Sequence, residues 1–153
     1  MKKSFLWIAL FAMSVMLTSC SKDDDVDLGQ FDYPINELFG TWKASIIWVG
    51  SRYITVSHYP QYAMQITFNS DGTFRGSGYL GDGSGTYKVS GKTITTYVDG
   101  GVYATYYVTK YEQGVADFTI TIGKESIRMW AYNADYDGDR SATAITPPST
   151  MNN

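Results

Sequence analysis

The fold of this chain is decided by residues 64–74, which read MQITFNSDGTF. Met64, Ile66 and Phe68 alternate with polar residues, and a period of two is typical of a half-buried β-strand. The Asn-Ser-Asp-Gly that follows is a hairpin signal, because its glycine can adopt a positive φ angle. The segment therefore predicts a strand, a tight turn and a second, antiparallel strand.

The same pattern extends in both directions, from Gly40 to Tyr132. Turns that contain glycine recur about every 8 to 14 residues. Short strands at such regular spacing imply antiparallel pairing between strands that follow one another along the chain. The pattern predicts nine strands, at residues 41–49, 52–58, 62–69, 72–79, 84–90, 92–98, 102–112, 115–122 and 125–132.

A sheet of nine strands has to hide its edges and its apolar face. Closure into a barrel does this, and so does folding over into two packed sheets. We therefore predict an all-β fold, an antiparallel up-and-down meander closed as a small barrel of about eight or nine strands, with a β-sandwich as the alternative. We expect residues 35–132 to form this β domain and residues 133–153, rich in Asp, Ser, Thr and Pro, to form a flexible polar tail.

Gly40-Thr41-Trp42 resembles the Gly-x-Trp motif that opens the first strand of lipocalins. Residues 66–74 and 85–89 also resemble the lipocalin-like domains of bacterial lipoproteins. In that family the tryptophan plugs the closed end of the barrel and an arginine of the last strand packs over it. The resemblance, which covers about 95 residues, implies these barrel-closing roles for Trp42 and Arg128. Arg128 nevertheless falls on the face opposite Ile127 and Met129.

A barrel of this kind is expected to hold a small apolar or amphipathic ligand in its interior. The residues predicted to line that interior are Ile46, Trp48, Met64, Ile66, Phe68, Phe74, Tyr87, Phe118, Ile120 and Met129. The alternative is a module that recognises a glycan or a protein on its outer surface. Alternation places Tyr103, Tyr107 and Tyr111 on one face of a single strand, and tyrosine suits both sugars and protein surfaces.

The N-terminus predicts export and a lipid anchor. Lys2 and Lys3 precede a run of thirteen residues, Phe5 to Leu17, that is apolar except for one serine. This run is too short to span a bilayer, which takes about 20 residues, and is typical of a signal peptide. Leu17-Thr18-Ser19-Cys20 resembles the lipobox of bacterial lipoproteins. We therefore expect residues 1–19 to be removed and Cys20 to carry the lipid.

Residues 20–34 are expected to form an acidic tether. Its start, Lys22 followed by three aspartates, is similar to the tag that sends some lipoproteins of Gram-negative bacteria to the cell surface. We accordingly expect a lipid anchor in the outer membrane with the domain on the cell surface. Retention on the periplasmic leaflet is the alternative.

Several function classes are not expected. Between Glu37 and Tyr132 there are eight basic and seven acidic residues, without the basic stripe that nucleic-acid binding requires. His58 is the only histidine and Cys20 the only cysteine, so neither a catalytic triad nor a histidine metal cluster is predicted. Residues 133–139 resemble half of an EF-hand loop, but Ala144 stands where the bidentate glutamate belongs. We predict no enzyme activity, no metal and no cofactor.

The lipid anchor can be tested by replacing Cys20. Cys20→Ala should abolish incorporation of labelled palmitate, because no other side chain in the sequence offers a thiol. The measurement is the label in the immunoprecipitated protein from cells fed palmitate, with Ser21→Ala as the matched control. Label that persists on the Cys20→Ala variant would contradict the lipobox interpretation.

Overall fold

The structure is a computed structural model that describes residues 26–138. The predicted signal peptide, Cys20, the Lys22 tag and the tail from residue 139 onward lie outside the described residues. Within the described range, no helix has the length and apolarity needed to cross a membrane.

The described part of the chain contains ten strands and two short helical turns. The strands are β1 (Gly29–Phe31), β2 (Gly40–Val49), β3 (Arg52–Thr55), β4 (Met64–Phe68), β5 (Thr73–Gly78), β6 (Gly83–Gly91), β7 (Thr93–Val98), β8 (Gly101–Glu112), β9 (Val115–Ile122) and β10 (Glu125–Asn133). The helical turns are α1 (Ile35–Leu38) and a 3₁₀ turn (Pro60–Tyr62).

Eight of the strands form a closed antiparallel barrel. Their order is β6-β5-β4-β2-β10-β9-β8-β7, and β7 pairs again with β6. The barrel prediction is therefore confirmed, and the sandwich alternative does not apply. Closure pairs both edges of every wall strand, which removes the exposed edges that an open sheet would leave.

The second predicted strand, residues 52–58, corresponds to β3, which is not one of the eight strands of the barrel. It pairs with the second half of β2, Ile46 to Val49, whereas β4 pairs with the first half, Gly40 to Lys43. Both strands thus share one edge of β2. This explains how nine predicted strands give a barrel of eight.

The packed domain extends beyond the predicted 35–132 at both ends. β1, inside the predicted tether, pairs parallel with the last residues of β6, from Gly29 opposite Val89 to Phe31 opposite Gly91. Leu28 is buried in the core next to this strand. Alternation gave no signal here, because the segment has only three paired residues.

The barrel has two unlike ends. The closed end holds the turns 69–72, 91–92 and 113–114 together with residues 28–39, which cross it through β1 and α1. The open mouth holds the turns 50–51, 79–82, 99–100 and 123–124. The antiparallel meander assigns the turns to alternate ends, so this division follows directly from the strand order.

Aromatic side chains fill the closed half of the barrel. Ring centroids lie 5.3 Å apart for Trp42 and Phe118, 5.0 Å for Phe68 and Tyr87, and 5.8 Å for Phe68 and Tyr106. The rings meet edge to face, an arrangement worth about 0.5–1.5 kcal/mol per pair beyond area burial. Among the described residues, this half of the barrel is packed core.

A candidate ligand pocket at the open mouth

An open pocket of about 570 Å³ lies at the mouth of the barrel. Its size is within the range of about 300–1,000 Å³ that is usual for small-molecule sites. Its lining residues come from the ends of β2, β9 and β10 and from the turn after β5: Trp48, Val49, Gly50, Tyr79, Leu80, Ile120, Ile122, Glu125, Ser126 and Ile127.

The hairpin of β9 and β10 builds the apolar wall of this pocket. Ile120 pairs with Ile127, and Ile122 pairs with Glu125. One level deeper, Phe118 pairs with Met129, and both are buried in the core. Since paired residues share a face and the side-chain period is two, Ile120, Ile122 and Ile127 all face the interior.

The floor of the pocket is closed. Beneath it is a void of only about 20 Å³, bordered among others by Met64, Tyr106 and Met129. Such a volume is comparable to the space for a single water, about 10–15 Å³ on the same measure. Tyr106 is buried there, and this burial raises the pKa of its hydroxyl above the ordinary value of 10.0. The open volume described here thus lies in the upper half of the barrel.

Eight of the ten predicted lining residues belong to the main interior core. Ile120 alone among them borders the mouth pocket. Four border the small void: Met64, Ile66, Met129 and again Ile120. Four pack the rest of the core: Phe68, Phe74, Tyr87 and Phe118. These eight residues lie in the interior, but most of them pack the core and do not border the mouth pocket.

Ile46 and Trp48 were wrongly placed in the interior. Ala44 pairs with Ala131 and Ile46 with Trp130, so Ser45 is an extra residue in a β-bulge. A bulge reverses the alternation beyond it. Ile47 consequently faces the core, while Ile46 joins Val115 and Trp130 in an outer cluster on which Trp48 packs. Trp48 also reaches the rim of the mouth pocket.

Arg128 does not pack over Trp42. It lies on the outer face of the barrel, with its guanidinium carbon 4.7 Å from the Trp48 ring centroid. Its Nε donates to Oδ1 of Asp117 at 3.0 Å, and Asp117 is only 2% exposed. Hydrogen bonding to this carboxylate raises the pKa of Arg128.

Trp42 is covered at the closed end by other groups. Its side chain is fully buried, and its Nε1 donates to the Leu38 carbonyl of α1 at 2.8 Å. Tyr111 approaches it with ring centroids 6.1 Å apart. The Tyr111 hydroxyl donates to the carboxylate of Glu37. Residues 37–38 thus help to cover Trp42 at the closed end, which is the role that the resemblance implied for an arginine of the last strand.

The predicted outer tyrosine face does not exist as a unit. β8 contains two bulges, one between its pairings at Val102 and Ala104 and one between those at Val108 and Lys110. Tyr103 consequently packs against the core and stacks on Phe74, with ring centroids 6.3 Å apart. Tyr111 also packs against the core, and only Tyr107 stays exposed, at 46%.

In the segment that resembles half of an EF-hand loop, Asn133 and Asp135 form hydrogen bonds with the backbone of the barrel. Asn133 donates from Nδ2 to the Phe39 carbonyl at 2.8 Å, and Asp135 accepts the Thr41 backbone N–H at 2.8 Å. Across residues 26–138, no group of three His, Cys, Asp or Glu side chains is placed to hold a metal. His58 is an exposed residue of the turn that follows β3.

Sequence reasoning missed most of the mouth residues. Tyr79 and Leu80 stand in a turn, where apolar periodicity has no meaning. Ile122, Glu125 and Ile127 stand in predicted strands but near their ends. Strand direction could have identified these residues. Every second turn of the meander lies at the same end of the barrel, and the turns next to these residues lie at the end opposite Trp42.

Comparison with known proteins supports the architecture. The family model of the lipocalin-like domain matches residues 38–115, about half of the chain. The chain therefore belongs to the lipocalin-like domain family. Among curated proteins and among solved structures, nothing matches the chain. The matched region ends at the start of β9, so the wall made by Ile120, Ile122 and Ile127 lies beyond it.

The outer position of Arg128 can be tested by denaturation. Arg128→Ala leaves the buried Asp117 carboxylate without its ion-pair partner, and the free energy of unfolding should fall by about 2–3 kcal/mol, the low end for a broken buried pair because Arg128 is itself partly exposed. The exposed Arg75→Ala is the matched control, expected to change stability by less than about 0.5 kcal/mol. Equal urea midpoints for the two variants would contradict the account of this ion pair.

Proposed function

We propose that this protein is a non-enzymatic binding lipoprotein that holds a small apolar or amphipathic ligand in the open mouth of its barrel. The observation that carries the proposal is the pocket of about 570 Å³ with an aliphatic wall. Ile120, Ile122 and Ile127 can bury the apolar part of a ligand, but they offer no acid, base or nucleophile. Burial of apolar surface is worth about 25 cal/mol per Å².

The shape of the pocket limits how the ligand binds. Because the closed half is filled, the apolar part of the ligand can descend only to the level of Tyr106 and Met129. A polar end then remains at the rim, near Glu125 and Ser126. The proposed ligand is therefore short or bulky, and not a long chain threaded through the barrel.

The proposed lipid anchor on Cys20 would fix the direction of the mouth. Val26 precedes β1, which pairs at the closed end. Cys20 is six residues earlier, a span of at most about 20 Å. An anchor there holds the closed end toward the membrane and points the mouth away from it, so that ligand enters from the surrounding medium.

Surface display on a Gram-negative outer membrane completes the proposal. It is supported by the Lys22 and aspartate tag. Replacing Lys22, Asp23, Asp24 and Asp25 with alanine should leave palmitate labelling intact but protect the domain from protease added to whole cells. Equal digestion of the wild type and the variant would contradict the tag, with lysed cells as the control for protease access.

Pocket occupancy can be tested with N-phenylnaphthylamine, a neutral apolar probe that fluoresces when it is buried. The probe should bind the soluble domain from Val26 onward and quench tryptophan emission through Trp48 at the rim. Leu80→Trp places a large ring in the pocket and should weaken probe binding about tenfold or more, a loss of about 1.4 kcal/mol. Fluorescence titration gives both dissociation constants.

Val102→Trp is the matched control for that substitution. Val102 is 64% exposed and does not border the pocket, so the added ring should leave probe binding unchanged. Absence of probe binding to the folded wild type, or equal weakening by both substitutions, would contradict the proposed function.

A further inference from the structure

Glu125 is an exposed carboxylate at the rim of the pocket. It is the first residue of β10 and pairs with Ile122. Glu125, Ile127 and Met129 follow one another at a period of two, so they share the interior face of the strand. Reading β10 from the rim downward, the interior face thus presents an acid, then an aliphatic residue, then the buried thioether of Met129.

The Glu125 carboxylate has no counter-charge within the described structure. It takes part in none of the salt bridges or side-chain hydrogen bonds of the described residues. The neighbouring Ser126 hydroxyl is engaged with that of Thr121, at 2.9 Å. Glu125 is also the only charged residue among the described residues that line the pocket. A polar ligand group at the rim would therefore meet a single negative charge.

The surroundings of the mouth do not cancel that charge. The turns and strand ends at this end of the barrel carry Arg52 and Lys124, which are balanced in number by Asp82 and Asp99. Glu125 then leaves the mouth with a net charge of −1. Arg128, farther down the same strand, is on the outer face and already paired with Asp117.

Aromatic rings border the same rim. Tyr79, 44% exposed, and Trp48 both line the pocket. The faces of such rings attract cations, most strongly quaternary ammonium groups. The Trp48 ring already holds the Arg128 guanidinium at 4.7 Å, so Tyr79 is the ring that remains for a ligand cation. A carboxylate and an exposed aromatic ring at the rim, above an aliphatic wall, are complementary to a cation attached to an apolar chain.

We propose that the mouth selects amphiphiles with a cationic head group, with Glu125 as the counter-charge. The inference rests on the proposed function and names its ligand class. Fatty acids, whose carboxylate would face Glu125, are disfavoured. Neutral apolar compounds bind through the aliphatic wall alone and are intermediate in affinity.

The test is competition against N-phenylnaphthylamine by two ligands with the same chain, octyltrimethylammonium and octanoate. On the wild-type domain the ammonium should displace the probe at about one tenth of the octanoate concentration. Its charge attracts the Glu125 carboxylate whereas the charge of octanoate is repelled by it, and solvent partly screens both contacts. Glu125→Gln should bring the two concentrations within about twofold to threefold, and Glu125→Lys should reverse the preference.

Glu112→Gln is the matched control. It removes the same charge at the closed end of the barrel, where the ion-pair partner of Glu112 among residues 26–138 is the exposed Lys110, at 3.9 Å. The preference should therefore survive in this variant. Equal competition by the two ligands on the wild type, or a preference unchanged by Glu125→Gln, overturns the head-group inference and leaves pocket binding intact. Failure of the neutral probe to bind overturns both.

Discussion

The structure depends on one long-range pairing, in which β10, the last strand of the barrel, closes it against β2, the first of its eight strands. β10 pairs with β2 from Arg128 opposite Trp48 to Asn133 opposite Trp42. This pairing joins segments about 85 residues apart and removes the last two free edges of the meander. With eight strands, the interior is just wide enough to be filled by side chains or to hold one small ligand. In this protein side chains fill the closed end, and the other end keeps an open pocket.

The two halves of the barrel differ because side-chain size changes along its axis. Toward the closed end the interior residues are mainly aromatic, and Trp42, Phe68 and Phe118 leave no space. Toward the mouth they are aliphatic, as with Ile120 and Ile127, so the same barrel diameter leaves a pocket. The closed half is packed core, and the open half holds the candidate pocket. The family match is to a barrel that fits a ligand-binding role.

The sequence was sufficient for nine of the ten described strands, all except β1, but not for every face. Turn residues and a period of two are local signals, and each of the nine strands that they predicted corresponds to a strand of the structure, β2 to β10. Bulges are not local, because they depend on how a strand must bend to keep its pairings around the barrel. The bulge at Ser45 reversed the placement of Ile46 and Trp48. The two in β8 turned Tyr103 and Tyr111 toward the core.

The most direct test of a filled closed half and a ligand-binding mouth is a titration of the soluble domain with the neutral probe, followed through isoleucine methyl resonances. The account predicts that the methyl signals of Ile120, Ile122 and Ile127 shift as the probe binds. That of Ile94, in the core away from both the mouth pocket and the void beneath it, should stay in place. Shifts centred on Ile94, or no shift at the mouth, would contradict it.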